Sequence, residues 1–146
     1  MCRRRGGCEI ATEYFDATGK IMTVPTEGIA GWTAKFDAQG NANELHYHGV
    51  DYKPLSNDSG IAGWRAKYDH RGSQTDLEYL DEQSQPQPAL RRWDATRKEG
   101  GGYARVVKTF DARNRTVEEQ YFGVDGRPVR HPDGWSRRVD KYPPLR

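Results

Sequence analysis

Gly28-Ile29-Ala30-Gly31-Trp32 returns thirty-two residues later as Gly60-Ile61-Ala62-Gly63-Trp64. A fixed period of this size marks a repeat array, in which each unit buries its apolar face against its neighbours. The register extends outward from these two phrases. Gly102 and Gly134 continue the glycine column, and nine residues on stand Asp37, Asp69, Asp111 and Pro143. Aromatics precede them: Phe36, Tyr68, Phe110 and Tyr142. A second aromatic column holds Tyr14, Tyr47, Tyr79 and Tyr121, followed after seven residues by Ile21, Pro54, Pro86 and Pro128. The whole chain, 1–146, divides into a half repeat at 4–27, repeats at 28–59, 60–101 and 102–133, and a terminal half repeat at 134–146. An insertion at 87–101 interrupts the third segment.

Each unit predicts a β-hairpin. Ala30, Trp32, Ala34 and Phe36 alternate with Ile29, Gly31, Thr33 and Lys35, the period of a strand with one face more buried. The turn is Asp37-Ala38-Gln39-Gly40, repeated as Asp69 to Gly72 and Asp111 to Asn114. Gly and Asn at its fourth place tolerate the positive φ of a type I turn closed by a glycine bulge. A second strand follows, with Leu45 and Tyr47 on one face and Glu44 and His46 on the other. Proline, lacking an N–H, is expected where pairing stops. The fold class is therefore all-β: tandem antiparallel hairpins in one extended or coiled sheet. The four-residue columns beginning at Phe36 and at Tyr14 are each expected to share a stacked environment.

Composition sets the depth of the core. Apolar residues are 34% and mean hydropathy is −1.01, which fits a thin aromatic layer across a sheet better than a deep interior. Net charge is +2, unevenly placed: residues 1–87 carry 9 basic and 13 acidic groups, and residues 88–146 carry 14 and 8. Ends of opposite sign suit head-to-tail contact; drift among exposed residues explains them equally well. No run of eighteen apolar residues predicts a membrane helix, and no signal-peptide core follows the basic start. Cys2 and Cys8 either bridge a short loop or stay free.

No chemistry-bearing constellation is expected. His46, His48 and His70 with Asp51 lack recognised metal-ligand spacing, so they read as surface histidines. The Asp-led turns lack the oxygen ligands calcium needs; their Asp side chains are expected to bond their own backbone. Glu99-Gly100-Gly101-Gly102 has no following Lys-Ser or Lys-Thr and is a poor phosphate loop. Catalytic residues, metals and cofactors are accordingly none. The insertion adds Arg91, Arg92 and Trp93, residue types enriched in binding hot spots. They form the candidate contact for an acidic partner or a neighbouring subunit, or else pack Trp93 against the sheet.

The unit resembles the tyrosine-aspartate repeats of bacterial Rhs-type proteins, on the phrases Lys67-Tyr68-Asp69-His70-Arg71-Gly72 and Thr109-Phe110-Asp111-Ala112-Arg113-Asn114. It is more similar still to uncharacterised bacterial arrays that alternate two turn phrases, here Tyr121 to Pro128 and Phe36 to Asn41. The resemblance implies β-hairpin shells or arrays in large, often secreted or surface-located bacterial proteins, and brings no enzymatic residues. Tyr14-Phe15-Asp16-Ala17-Thr18-Gly19-Lys20 is similar to choline- and glucan-binding cell-wall repeats, which implies a second class, a carbohydrate-binding module using Trp32, Trp64 and nearby tyrosines.

The expected function is a non-enzymatic structural protein. Residues 4–14 align with 37–47, so the chain opens on a second strand without its first; Gly134 to Tyr142 is a first strand without its second. Unpaired edges are templates for pairing. Either the chain closes on itself, or copies join head-to-tail through Cys8, Ile10, Tyr14, Trp135 and Tyr142 into a filament; a piece cut from a longer secreted array is the further alternative. The expected partners are other copies of the chain, with an acidic protein or a glycan surface next; no nucleic-acid or membrane-spanning role is expected.

Overall fold

In a computed structural model, the structure describes residues 8–88, 103–130 and 134–143. Among them every regular element is a strand: β1 (Cys8–Glu13), β2 (Gly31–Phe36), β3 (Ala42–His48), β4 (Gly63–Tyr68), β5 (Gln74–Leu80), β6 (Arg105–Phe110), β7 (Thr116–Phe122) and β8 (Arg137–Val139). They form one antiparallel sheet in sequence order, β1 to β8. The fold is all-β and hairpin-linked. Among the described residues the sheet is open: β1 pairs only with β2, and β8 only with β7. Among the described residues the two ends do not close on each other.

The hairpin tips explain why the repeat folds locally. Gly40, Gly72 and Asn114 take φ of 87°, 84° and 62°, and the register slips at Lys35/Phe36, Lys67/Tyr68 and Thr109/Phe110. That is the bulged turn the spacing predicts. The aspartate opening each turn gathers two backbone N–H groups on Oδ1. Gln39 and Asn41 donate to Asp37 at 3.0 and 2.8 Å, Arg71 and Ser73 to Asp69 at 2.9 and 3.0 Å, and Arg113 and Arg115 to Asp111 at 2.9 Å each. The short carboxylate replaces water on amides that the turn would otherwise leave unpaired.

A second tip follows β3, β5 and β7. Here the left-handed position holds Tyr52 and Ser84, at φ of 64° and 61°, as well as Gly126. Pro54, Pro86 and Pro128 lie beyond this tip, each in a single bridge back to His48, Leu80 or Phe122. The prolines therefore do not end the second strands. They begin a short return segment whose next residue donates the N–H that proline lacks: Leu55, Gln87 and Val129 bond the carbonyls of Tyr47, Tyr79 and Tyr121.

The core is thin. Ile29 and Ile61, each just past a turn glycine, are 0% and 2% exposed, and Ala30, Ala34, Ala62 and Ala66 are buried with them. Tyr79 and Ile61 anchor a cluster with Tyr47, Trp64, Leu77 and Tyr103. Burying one such aliphatic side chain stabilises the fold by about 1.5–3 kcal/mol. Both aromatic columns make contacts between neighbouring units. Tyr79 and Tyr121 communicate through Tyr103, at ring distances of 5.7 and 4.7 Å. In the other column, Tyr68 and Tyr142 reach back to the preceding hairpin, their hydroxyls donating to the carbonyls of Ala42 and Thr116 at 2.7 and 2.8 Å.

Candidate interaction surfaces

Of the five residues expected to act in assembly, Cys8 and Ile10 lie on β1, while Tyr14 follows that strand and Trp135 and Tyr142 flank β8. Tyr14 N and Asp140 N donate to Ala30 O and Val117 O, and Tyr121 N donates to Ser136 O. Antiparallel strands alternate which side their amide groups face. The inward set on β1 therefore includes Cys8, Ile10 and Thr12, and the outward set is Glu9, Ala11 and Glu13. Beside β8 the inward set includes Ser136, Arg138 and Asp140; Arg137, Val139 and Lys141 face outward. Glu9 and Glu13 are exposed on one edge, Arg137 and Lys141 on the other.

The named side chains differ in availability. Ile10 is 45% exposed, and Tyr14 is half-buried at the end of β1. Cys8 is disulfide-bonded. Trp135 packs on Tyr121 at 5.6 Å, and Tyr142 lies under the Arg115 guanidinium at 4.0 Å. Both aromatics thus secure the last strand to its own chain, while the outward backbone remains for a partner. Arg91, Arg92 and Trp93 lie outside the described residues.

The histidines have structural neighbours. His46 Nε2 and Glu44 Oε1 are 2.7 Å apart, a contact that holds the Glu44 carboxyl below its ordinary range. His48 is buried, with Nδ1 3.0 Å from Gly49 O and its ring stacked on Tyr52 at 5.2 Å. It therefore differs from the surface residue the sequence predicts. The cause is its partner: a Cβ on Gly31 would lie 2.6 Å from His48 Nε2, so the glycine leaves the space the ring occupies. Among the described residues no group of three or more His, Cys, Asp or Glu is placed to hold a metal. Trp64 packs into the core cluster, and Trp32 is half-buried on the same face of the sheet.

The polar face carries a feature that no single strand reveals. Glu9 pairs across to Lys35, Lys35 to Glu44, Glu44 to Arg65, Arg65 to Glu78 and Glu78 to Arg105. A single row thus alternates in sign across β1 to β6 and ends at Phe122 on β7. Ion pairs run along it, Lys35–Glu44 at 3.9 Å and Arg65–Glu78 at 3.6 Å. Arg105 forks instead onto Asp76 at 3.0 and 2.6 Å, which raises its already high pKa. The members of the row from Lys35 to Arg105 line a groove of about 510 Å³. The alternation was present in the sequence, but only the register brings it into line.

Among the described residues no helix is long and apolar enough to cross a membrane. Comparison of the chain with family models, with curated proteins and with solved structures finds no match.

Proposed function

We propose that this chain is a non-enzymatic structural repeat protein whose copies join head-to-tail, β8 of one pairing with β1 of the next. The observation that carries this reading is the pair of open edges, one presenting Glu9 and Glu13 and the other Arg137 and Lys141. The repeat supplies a register. Within the chain Thr33 faces His46 and Lys35 faces Glu44. Moved by one unit, the same pairing sets Val139 against Glu13 and Lys141 against Ala11, which are outward residues on both edges. Opposite charges at the two edges favour this encounter and disfavour pairing of like edges. A heterologous contact that does not close generates an open filament.

The resemblance to bacterial tyrosine-aspartate arrays supports a structural role and an extracellular or surface setting. Electron microscopy of the intact protein and of Ala11→Pro tests the reading. Proline removes an outward N–H that the β1–β2 ladder does not use. Filaments should form with the intact chain and vanish in the folded variant. Filaments that persist in Ala11→Pro would overturn the proposal.

A further inference from the structure

We infer that the charged row on the polar face is a second, isologous interface. It pairs two copies face to face about a two-fold axis parallel to the strands. Sign and parity select this geometry. Glu9, Lys35, Glu44, Arg65, Glu78 and Arg105 lie in one register line on six adjacent strands, spaced about 4.8 Å apart. A two-fold axis along the strands reverses the order of the row in the facing copy. An alternating row of even length, once reversed, meets opposite charge at every place. Glu44 then faces Arg65 of the second copy, Lys35 faces Glu78, and Glu9 faces Arg105. An axis along the row would instead oppose like charges throughout, so the row selects one dimer geometry and rejects the other.

The side chains are reachable. Those of Lys35, Arg65 and Arg105 are 60%, 48% and 42% exposed, and those of Glu44 and Glu78 are 29% and 28% exposed. The right-handed twist of strands rotates each one relative to the last by roughly 20–25°. The fit is therefore tightest at the centre, at Glu44 and Arg65 on β3 and β4. Because the contact is ionic and wet, it is weak and salt-sensitive. Glu9 sits on the outer strand β1, but the contact uses side chains of the sheet's face and none of the outward backbone groups of either edge, so it joins two filaments side by side or two single copies alike.

The test uses the full chain carrying Ala11→Pro and Val139→Pro, which blocks both edges and separates this contact from head-to-tail assembly. Sedimentation equilibrium should show a dimer at low salt. It should dissociate as salt rises from about 0.1 to about 1 M, where the screening length falls from about 10 to 3 Å. Added separately, Glu44→Arg or Arg65→Glu should weaken the dimer at least about tenfold, since each places like charges opposite one another twice. An equimolar mixture of the two variants should restore it, because the arginine introduced in one copy then meets the glutamate introduced in the other. Circular dichroism confirms that each variant retains its strands. If either unfolds, the salt series decides. An edge-blocked protein that is monomeric at low salt, a dimer insensitive to salt, or a mixture of folded variants that fails to recover would each overturn the inference.

Discussion

Two versions of the same unit stand side by side in this sheet, and they solve one packing problem differently. Around β2 and β4 the residue entering the strand is Ile29 or Ile61, almost fully buried. The strand then opens on glycine, Gly31 opposite His48 and Gly63 opposite Leu80. Around β6 the entering residue is the half-buried Tyr103, and the strand opens on Arg105 opposite Phe122, whose ring lies 5.6 Å from the guanidinium. The turns, by contrast, are the same in both, down to the carboxylate that collects two amides. Backbone chemistry therefore fixes the unit, while packing at the strand entry is exchangeable, aliphatic and close at β2 and β4, aromatic and charged at β6.

Substitutions at matched positions measure that difference. Ile61→Ala should cost about 2–5 kcal/mol in urea unfolding, as expected of a fully buried aliphatic side chain. Tyr103→Ala should cost less, because Tyr103 is half-buried and its two ring contacts contribute about 0.5–1.5 kcal/mol each. Equal losses would mean the halves pack alike.

Smaller effects are expected at the strand openings. A Cβ on Gly63 would clash with the Leu45 carbonyl oxygen, so Gly63→Ala should cost about 1–3 kcal/mol through strain. Arg105→Ala removes a partly exposed ion pair with Asp76 and should cost about 1 kcal/mol or less. If Gly63→Ala is neutral, the close packing assigned to the first half is wrong.

Much of this was legible in the residues. The tips were readable because φ preference and Asp side-chain reach act within five residues, and Gly40, Gly72 and Asn114 show the same local physics. Burial of His48 was not readable: it depends on Gly31, seventeen residues away across a ladder. Nor was the left-handed conformation of Tyr52 and Ser84, where the surrounding turn overrides residue preference. The alternating row needed the register between hairpins, and the outward edges needed the hydrogen-bond phase. Both are properties of pairing that no single strand records.

Titration sharpens the comparison further. Burial and a 2.9 Å hydrogen bond to Glu119 push the Tyr121 hydroxyl up to about 12 from 10.0. Its contribution to stability is complete below about pH 10 and is lost as pH rises through 12. Tyrosinate absorbance, compared with that of Tyr121→Phe, should therefore show Tyr121 ionising late, together with unfolding; its ionisation near pH 10 with the fold intact would contradict the aromatic packing around it.

Two turn carboxylates, Asp16 in the first half and Asp111 in the second, act at the other extreme. The Thr18 hydroxyl beside Asp16 and the Arg115 amide beside Asp111 hold these groups below 3.8. Depressed values mean stability that is present above about pH 4 and lost as pH falls through the folded-state pKa. Acid should loosen the turn after β1 and the β6–β7 tip together, seen as a shared loss of amide protection below that pH; loss at one alone would show that the carboxylate does not hold the other.

Whether the outer strands are joints is tested most directly by sedimentation velocity across a wide concentration range, on the intact chain and on Val139→Pro. The intact protein should give a species that grows without limit as it is concentrated, and growth should stop when the β8 edge is blocked. An intact protein that remains a monomer at every concentration would contradict head-to-tail joining.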